Sequence, residues 1–376
     1  MNDKRRPDKN VVDWVEPAVA RLNPYQPGRP LEEVAREIGL APEQVCKLAS
    51  NENALGVSPL AVEAMRRHAE DMYLYPDGSA YYLRQKVAEN FQVRPEQIVF
   101  GAGSNELLEF IGHCFMGAGR SIVVSQYAFV IYKLLAMMFG SDIVEVPACE
   151  LGHDLGAMAA AVRPDTRVVF VCNPNNPTGT FLRPEEIAAF VERIPDDVLI
   201  VFDEAYAEIS LEPMPDTLRF VLERPNCLML RTFSKAYGLA GLRIGFGIGP
   251  HNLTAALEKP RQPFNTNRMA QEAAVAALDD NDFLIRTRQL CLESRDYFEE
   301  ACRELGLAYA PTAGNFILVR TGNGGEIAQK LTRRGIIVRP VVPYGLPDHI
   351  RITFGTMPEN QRVIDALRDI MPTGSN

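Results

Sequence analysis

Several things are scarce in this chain, and each scarcity removes a class of function. No stretch is apolar enough to span a bilayer; the best candidate, 129–139, is short and carries Lys133. The 5 histidines are scattered without an H-x-x-x-H pair, and the 7 cysteines contain no C-x-x-C pair. That pattern offers no metal site and no disulfide framework. The cysteines are odd in number, and most lie in apolar runs, as Cys172 and Cys227 do. They read as buried free thiols of a reducing cytoplasm. An excess of positive charge is also missing. With 39 Lys and Arg against 48 Asp and Glu, the net charge is -9. A nucleic-acid binder would show a basic face, and an anionic membrane would repel this balance. The first ten residues, "MNDKRRPDKN", are basic, but no apolar run follows them. They read as a solvated arm rather than a targeting segment. Repeats and low-complexity tracts are absent.

What is present is a regular alternation. Short apolar runs rich in β-branched residues occur at 97–100, 121–125, 142–146, 167–172, 198–202, 227–232 and 243–249. Their near-continuous apolarity predicts strands covered on both faces. Helical patterns lie between most of them. Ser58-Pro59 opens one, with Ser as N-cap and Pro at the first helical position. Another runs over 183–194. This order predicts an α/β layered domain around a mostly parallel sheet. After about residue 260 the texture changes. A long amphipathic helix over about 281–305 precedes strands at 315–319, 335–340 and 349–354, with helices between and after them. A smaller α+β domain fits that part.

Four loops follow predicted strands, and ligands of open α/β sheets bind at the carboxyl ends of strands. "GAGSNE" (101–106) offers glycines and a helix N-terminus to an anion, though a plain tight turn fits it as well. "NPNNPTG" (173–179) is either a turn or a rigid mount for a side-chain amide. In "VFDEAY" (201–206), Asp203 is either a helix N-cap or the partner of a buried cation. "FSKAYGLAGLRIGFG" (233–247) places Lys235 beside Ser234, with Arg243 on a glycine-rich stretch. A single lysine is usually a solvated charge. One whose pKa is lowered can react with an aldehyde, and Ser234 with Arg243 can hold a phosphate beside it. Lysine, phosphate cradle and aspartate together point to pyridoxal 5'-phosphate.

"NPNNPTG", "FDEAY" and "SKAYGLAGLRIGF", in this order and spacing, resemble the pyridoxal-phosphate aminotransferases of fold type I. "LNPYQPG" (22–28), "KLASNENALG" (47–56), "YLYPDGSAYYLR" (73–84), "FGAGSNEL" (100–107) and the C-terminal "HIRITFGT" look like the histidinol-phosphate aminotransferase family. Ala54 and Val57 stand where that family often has proline.

The resemblance implies a fold type I architecture with a seven-stranded large domain over 46–260 and a smaller one over 261–376. The arm 1–45 joins the smaller domain. It implies that Lys235 binds the cofactor covalently and moves the α-proton. Asp203 pairs with the pyridinium nitrogen, and Tyr206 and Asn176 bond the ring's phenolic oxygen. Tyr127 stacks on the ring. Gly103, Ser104 and Asn105 cradle the phosphate, joined by Ser234 and Arg243. Tyr75 reaches the partner subunit's cofactor, so a homodimer follows. Tyr25, Asn176, Arg339 and Arg351 contact substrate. The implied reaction exchanges the amino group between histidinol phosphate and 2-oxoglutarate, giving imidazole acetol phosphate and glutamate. An aromatic amino-acid aminotransferase is the main alternative, and a decarboxylase of a phosphorylated amino acid a lesser one. A regulator with an aminotransferase-like domain would need an attached basic DNA-binding domain, for which the arm before Tyr25 is too short.

Overall fold

The computed structural model describes residues 10–22 and 30–371. Twelve strands in chain order are β1 (Cys46–Leu48), β2 (Ile98–Gly101), β3 (Ser121–Ser125), β4 (Asp142–Val146), β5 (Thr166–Cys172), β6 (Leu199–Asp203), β7 (Cys227–Thr232), β8 (Gly245–Ile248), β9 (Tyr309–Ala310), β10 (Phe316–Arg320), β11 (Ile336–Pro340) and β12 (His349–Thr353). Seven of them form one sheet in the order β2-β8-β7-β6-β5-β3-β4. Only β8 runs against its neighbours. The predicted mostly parallel sheet is therefore present, and its strands begin and end within two residues of the apolar runs.

Side-chain alternation splits the strands between two cores. Along β5, Val169 and Val171 face one core, while Val168, Phe170 and Cys172 face the other. On β6, Ile200 and Phe202 go to the first and Leu199 and Val201 to the second. Helices cover both faces, which explains why these runs lack polar positions. Helix Pro59–His68 starts as its sequence predicts: the Ser58 hydroxyl accepts from the Ala61 N–H at 3.3 Å, and Pro59 takes the first helical position.

A second, five-stranded sheet has the order β1-β11-β12-β10-β9. It packs on helices Asn281–Glu304, Gly324–Thr332 and Met357–Ile370 around its own core, which includes Phe298, Ile317, Ile352 and Leu367. Two segments bear on the domain limits expected from sequence. Strand β1 pairs in parallel with β11, so 46–48 belong to the smaller sheet. Ala270, Ala273, Ala274 and Ala277 of helix Arg268–Ala277 pack in the core of the larger sheet. Sequence patterning sees neither: β1 pairs with chain 290 residues away, and the helix packs against helix Pro59–His68 from the other end of the large domain.

Candidate active site

Four strands deliver the site to one edge of the large sheet. The loops after β5, β6 and β7 leave from carboxyl ends that lie side by side, the loop after β2 leaves the same end of the sheet beyond the antiparallel β8, and β5 and β6 are held in register with Cys172 opposite Asp203. They enclose a cavity of about 670 Å³, whose lining includes Ser104, Asn105, Asn176, Asp203, Tyr206, Ser234, Lys235 and Arg243. The smaller sheet closes it with Arg339 and Arg351. This size suits a ligand of cofactor dimensions.

One end of the cavity is built for an anion. Helix Ser104–Phe115 points its N-terminus there, with Gly103 before it. Its first N–H groups have no acceptor within the helix and carry partial positive charge. Gly103 adopts φ +80, and a Cβ there would collide with the Arg243 guanidinium, so only glycine fits. Arg243 itself adopts φ +59, a costly conformation for a side-chain-bearing residue. It donates to the Ser234 hydroxyl at 3.3 Å and to the Ala240 and Ala102 carbonyls at 3.1 and 3.3 Å. Ser234 also accepts from Thr232 at 3.0 Å, which leaves its own proton for a further acceptor.

Asp203 ends β6 almost wholly buried. Its Oδ2 accepts from the Tyr132 hydroxyl at 2.6 Å, while Oδ1 has no hydrogen-bond partner among the described residues. Burial raises the carboxyl above its ordinary pKa, and the Tyr132 hydroxyl and Ala205 N–H work against that rise. A buried carboxylate oxygen without a donor costs free energy unless something cationic or proton-bearing meets it.

Lys235 donates to the Ser50 carbonyl at 3.0 Å. The residue keeps some access to solvent through the cavity, but its amine lies deep. That burial is the largest cause of a pKa lowered to about 8, and the Arg351 charge is the next. Tyr206 is buried, and its hydroxyl accepts from Asn51 Nδ2 at 2.9 Å.

On the smaller sheet's side of the cavity, Arg351 is buried and fixed. It donates to Asn176 Oδ1 at 2.5 Å and to the Ala49 carbonyl at 2.7 Å, and its guanidinium lies 5.4 Å from the Phe316 ring centre. Arg339 is less buried and donates to the same Ala49 carbonyl at 3.3 Å. The segment 49–52 thus runs through the site. Ala49 serves both arginines and Ser50 serves Lys235. Asn51, at φ 54, bonds Tyr206 on one side and Thr353 and Asn315 on the other.

The family pattern for "Aminotransferase class I and II" matches residues 43–367. The chain belongs to the class I and II aminotransferase family. A histidinol-phosphate aminotransferase of Akkermansia muciniphila is 49% identical over 96% of this chain and 100% of its own length. One of Pseudomonas fluorescens is 44% identical over 97% of this chain and 99% of its own. A solved histidinol-phosphate aminotransferase of Sinorhizobium meliloti, in complex with pyridoxal-5'-phosphate, superposes with a TM-score of 0.85. It has 30% identity and covers 94% of this chain and 97% of its own. The fold is fold type I, as the resemblance implied.

Of the residues expected for such an aminotransferase, the cavity brings together Ser104, Asn105, Asn176, Asp203, Tyr206, Ser234, Lys235, Arg243, Arg339 and Arg351, with Gly103 just behind Arg243. Tyr25 lies outside the described residues. Tyr75 is 81% exposed, away from the cavity of its own chain, and stacks on Phe264 with ring centres 4.8 Å apart. Tyr127 is absent from the cavity lining and packs toward Ala310, Val341 and Leu346. Phe129 stands in the lining instead, because it directly precedes helix Val130–Phe139 at the strand-end edge. Sequence reasoning also passed over Asn51 and Tyr132. Asn51 lies inside the quoted "KLASNENALG", so the motif was visible while the role of that position was not. Tyr132 reads from sequence as an ordinary apolar-face helix residue. Asn173-Pro174 and Asn176-Pro177 are both cis.

Proposed function

We propose that the chain is a histidinol-phosphate aminotransferase of histidine biosynthesis. It exchanges the amino group between histidinol phosphate and 2-oxoglutarate, giving imidazole acetol phosphate and glutamate. The observation that carries this reading is a cavity lined by two sets of cationic side chains, Arg243 with Ser234 from the larger sheet's loops and Arg351 with Arg339 from the smaller sheet. A reactive amine and an unpartnered buried carboxylate oxygen lie in the same space. Near-full-length identity of 49% to a protein of that name supports it.

The residues fit pyridoxal phosphate. The glycine that keeps Arg243 close, the free helix N-terminus and the spare Ser234 proton suit its phosphate. The orphan Asp203 Oδ1 suits a protonated ring nitrogen. Bound there, the cofactor supplies a carbonyl to take up the amino group and a ring to withdraw electrons from the α-carbon.

Everything else falls to the chain. Lys235 holds the cofactor. Its Nζ then removes the proton from the amine-bearing carbon of the donor and restores one to the matching carbon of the acceptor. The lowered pKa keeps a usable share of this amine free at neutral pH. Asp203 stays ionised to keep the ring nitrogen protonated. Tyr206 and Asn176 serve the ring's oxygen. Arg351 orients the anionic end of either substrate, and Arg339 adds the second cation a phosphate can use. The wall of Phe129, Val130, Leu134 and Met137 gives a planar heterocycle apolar contact.

The working unit in this reading is a homodimer. Tyr73, Tyr75 and Tyr82 are 84%, 81% and 75% exposed, and Tyr75 stacks on Phe264; exposed aromatic rings are of the kind that protein partners cover. From there Tyr75 reaches the partner's phosphate site. A cytoplasmic setting agrees with 7 free cysteines and with no helix among the described residues being long and apolar enough to cross a membrane. Steady-state rates of the pyridoxal-phosphate-loaded protein with histidinol phosphate, phenylalanine and tyrosine as donors test the assignment. Histidinol phosphate should give the highest kcat/KM. A preference for phenylalanine or tyrosine would move the reading to an aromatic aminotransferase.

A further inference from the structure

The alternation along β6 decides where its last side chain faces. Leu199 and Val201 lie in the core that contains Tyr132, so Asp203, two residues on, falls over the same face. On β5, Phe170 and Cys172 share that face, and Cys172 sits opposite Asp203. The fully buried Tyr132 comes from the covering helix Val130–Phe139. Its ring lies parallel to Phe170, with centres 4.4 Å apart and planes at 5°, and meets Phe129 edge-on at 5.7 Å. Two rings thus fix the one that carries the hydroxyl. That hydroxyl donates to Asp203 Oδ2 at 2.6 Å, while Oδ1 has no partner among the described residues.

We propose that Tyr132 is a positioning residue: it ties Asp203 Oδ2 to the covering helix and thereby presents Oδ1, ionised, to the cavity. The inference rests on the reading that Asp203 serves the ring nitrogen of the cofactor. A tyrosine buried for packing also seeks an acceptor for its hydroxyl. Here the acceptor is a buried carboxylate that lines the cavity, and 2.6 Å is the length of a bond to a charged oxygen. Among the influences on Asp203, the Tyr132 bond is the largest that opposes burial. Burial also holds the Tyr132 hydroxyl well above its ordinary range, so it remains a donor. The neighbouring titratable groups are Cys172 and Tyr206, both kept protonated by burial, and Lys235, which lines the same cavity.

The test uses the Tyr132→Phe variant, which keeps the ring and removes the donor. On cofactor-free protein with isotope-labelled aspartate, infrared difference against Asp203→Asn isolates the Asp203 carboxyl. Its protonation midpoint should rise by about one pH unit or more, a tenfold gain in proton affinity. On the loaded enzyme, Tyr132→Phe should lower kcat about tenfold in the native background and less than twofold in Asp203→Asn. An unchanged midpoint overturns the proposal, and so does an equal loss of kcat in both backgrounds. If Tyr132→Phe fails to fold while Tyr132→Phe/Asp203→Asn folds, the unpaired buried charge is the cause and the proposal stands. If neither folds, Tyr132 is a packing residue and the proposal fails. The infrared result is independent of the substrate, so a failed activity assignment leaves this test intact.

Discussion

Replacing Lys235 by methionine should make the cofactor-free protein more stable at pH 7. Lysine ordinarily titrates at 10.5, and here the value falls to about 8. The folded state therefore holds fewer protons at this site than the unfolded state between those two values. Stability rises with pH across that window. Below pH 8 the full penalty of keeping a charged amine in the cavity is present, and above 10.5 it is gone. A drop from 10.5 to about 8 corresponds to about 3 kcal/mol at 1.36 kcal/mol per pH unit. The bond from Lys235 to the Ser50 carbonyl is lost in the variant, which returns about 1 kcal/mol. The net gain should be about 2 kcal/mol at pH 7, fading toward pH 10.5. Urea unfolding of wild type and Lys235→Met at pH 7 and near pH 10 measures it. The comparison between variants cancels other groups that titrate over the same range. A variant no more stable than wild type at pH 7, or a gain that does not shrink with rising pH, would refute a depressed Lys235. The same drop raises the free-amine fraction at pH 7 from about 0.03% to about 10%, so the destabilising burial is what makes the residue reactive.

Three further outcomes follow from the site. Asp203→Asn should fold and take up pyridoxal phosphate, with kcat at least a hundredfold lower, because an amide cannot hold a ring nitrogen protonated; an unchanged kcat would make Asp203 a structural residue. Arg339→Ala should raise the KM for histidinol phosphate roughly tenfold to a hundredfold while leaving that for glutamate within a few-fold. Arg351→Ala should damage both, and equal effects of Arg339→Ala on the two donors would remove the phosphate role. Mixing Lys235→Ala with Tyr75→Phe subunits, once the second is shown to be impaired, should restore activity in hybrids that contain one intact site. No recovery after verified subunit exchange would count against a shared site.

Much of this was legible in the residues. Strands β3, β4 and β7 coincide with the runs read from sequence; β3 and β7 are apolar and buried along most of their length, while β4, at the sheet edge, leaves Asp142 and Glu145 exposed. Lys235, Asp203 and Arg243, which the resemblance singled out, line one cavity; their local surroundings alone left each open, Asp203 between a helix cap and a buried partner. Strand β1 has three residues and β9 two, too short for any period; β1 exists only through pairing with distant chain, and β9 through its antiparallel pairing with the nearby β10. Phe129 and Tyr127 differ by two positions in a loop, and periodicity says nothing of which loop side chain turns inward. Tyr132 has the address of a core residue and the partner of a functional one, and only the register of β6 against its covering helix separates the two.

The segment 49–52 has a mechanical consequence. It carries bonds from Arg339, Arg351, Thr353 and Asn315 of the smaller sheet's side, and from Lys235 and Tyr206 of the larger. The two sheets therefore share one short strap, and it passes through the place where the chemistry occurs. Neither can slide past the other without stretching bonds that also set the amine and the arginines. In the proposed reading, an anion that engages Arg351 and Arg339 meets side chains already bonded to Ala49, one residue before the Ser50 carbonyl that holds the amine. The place of the substrate's anion and the place of the proton carrier are thus both set by one stretch of backbone.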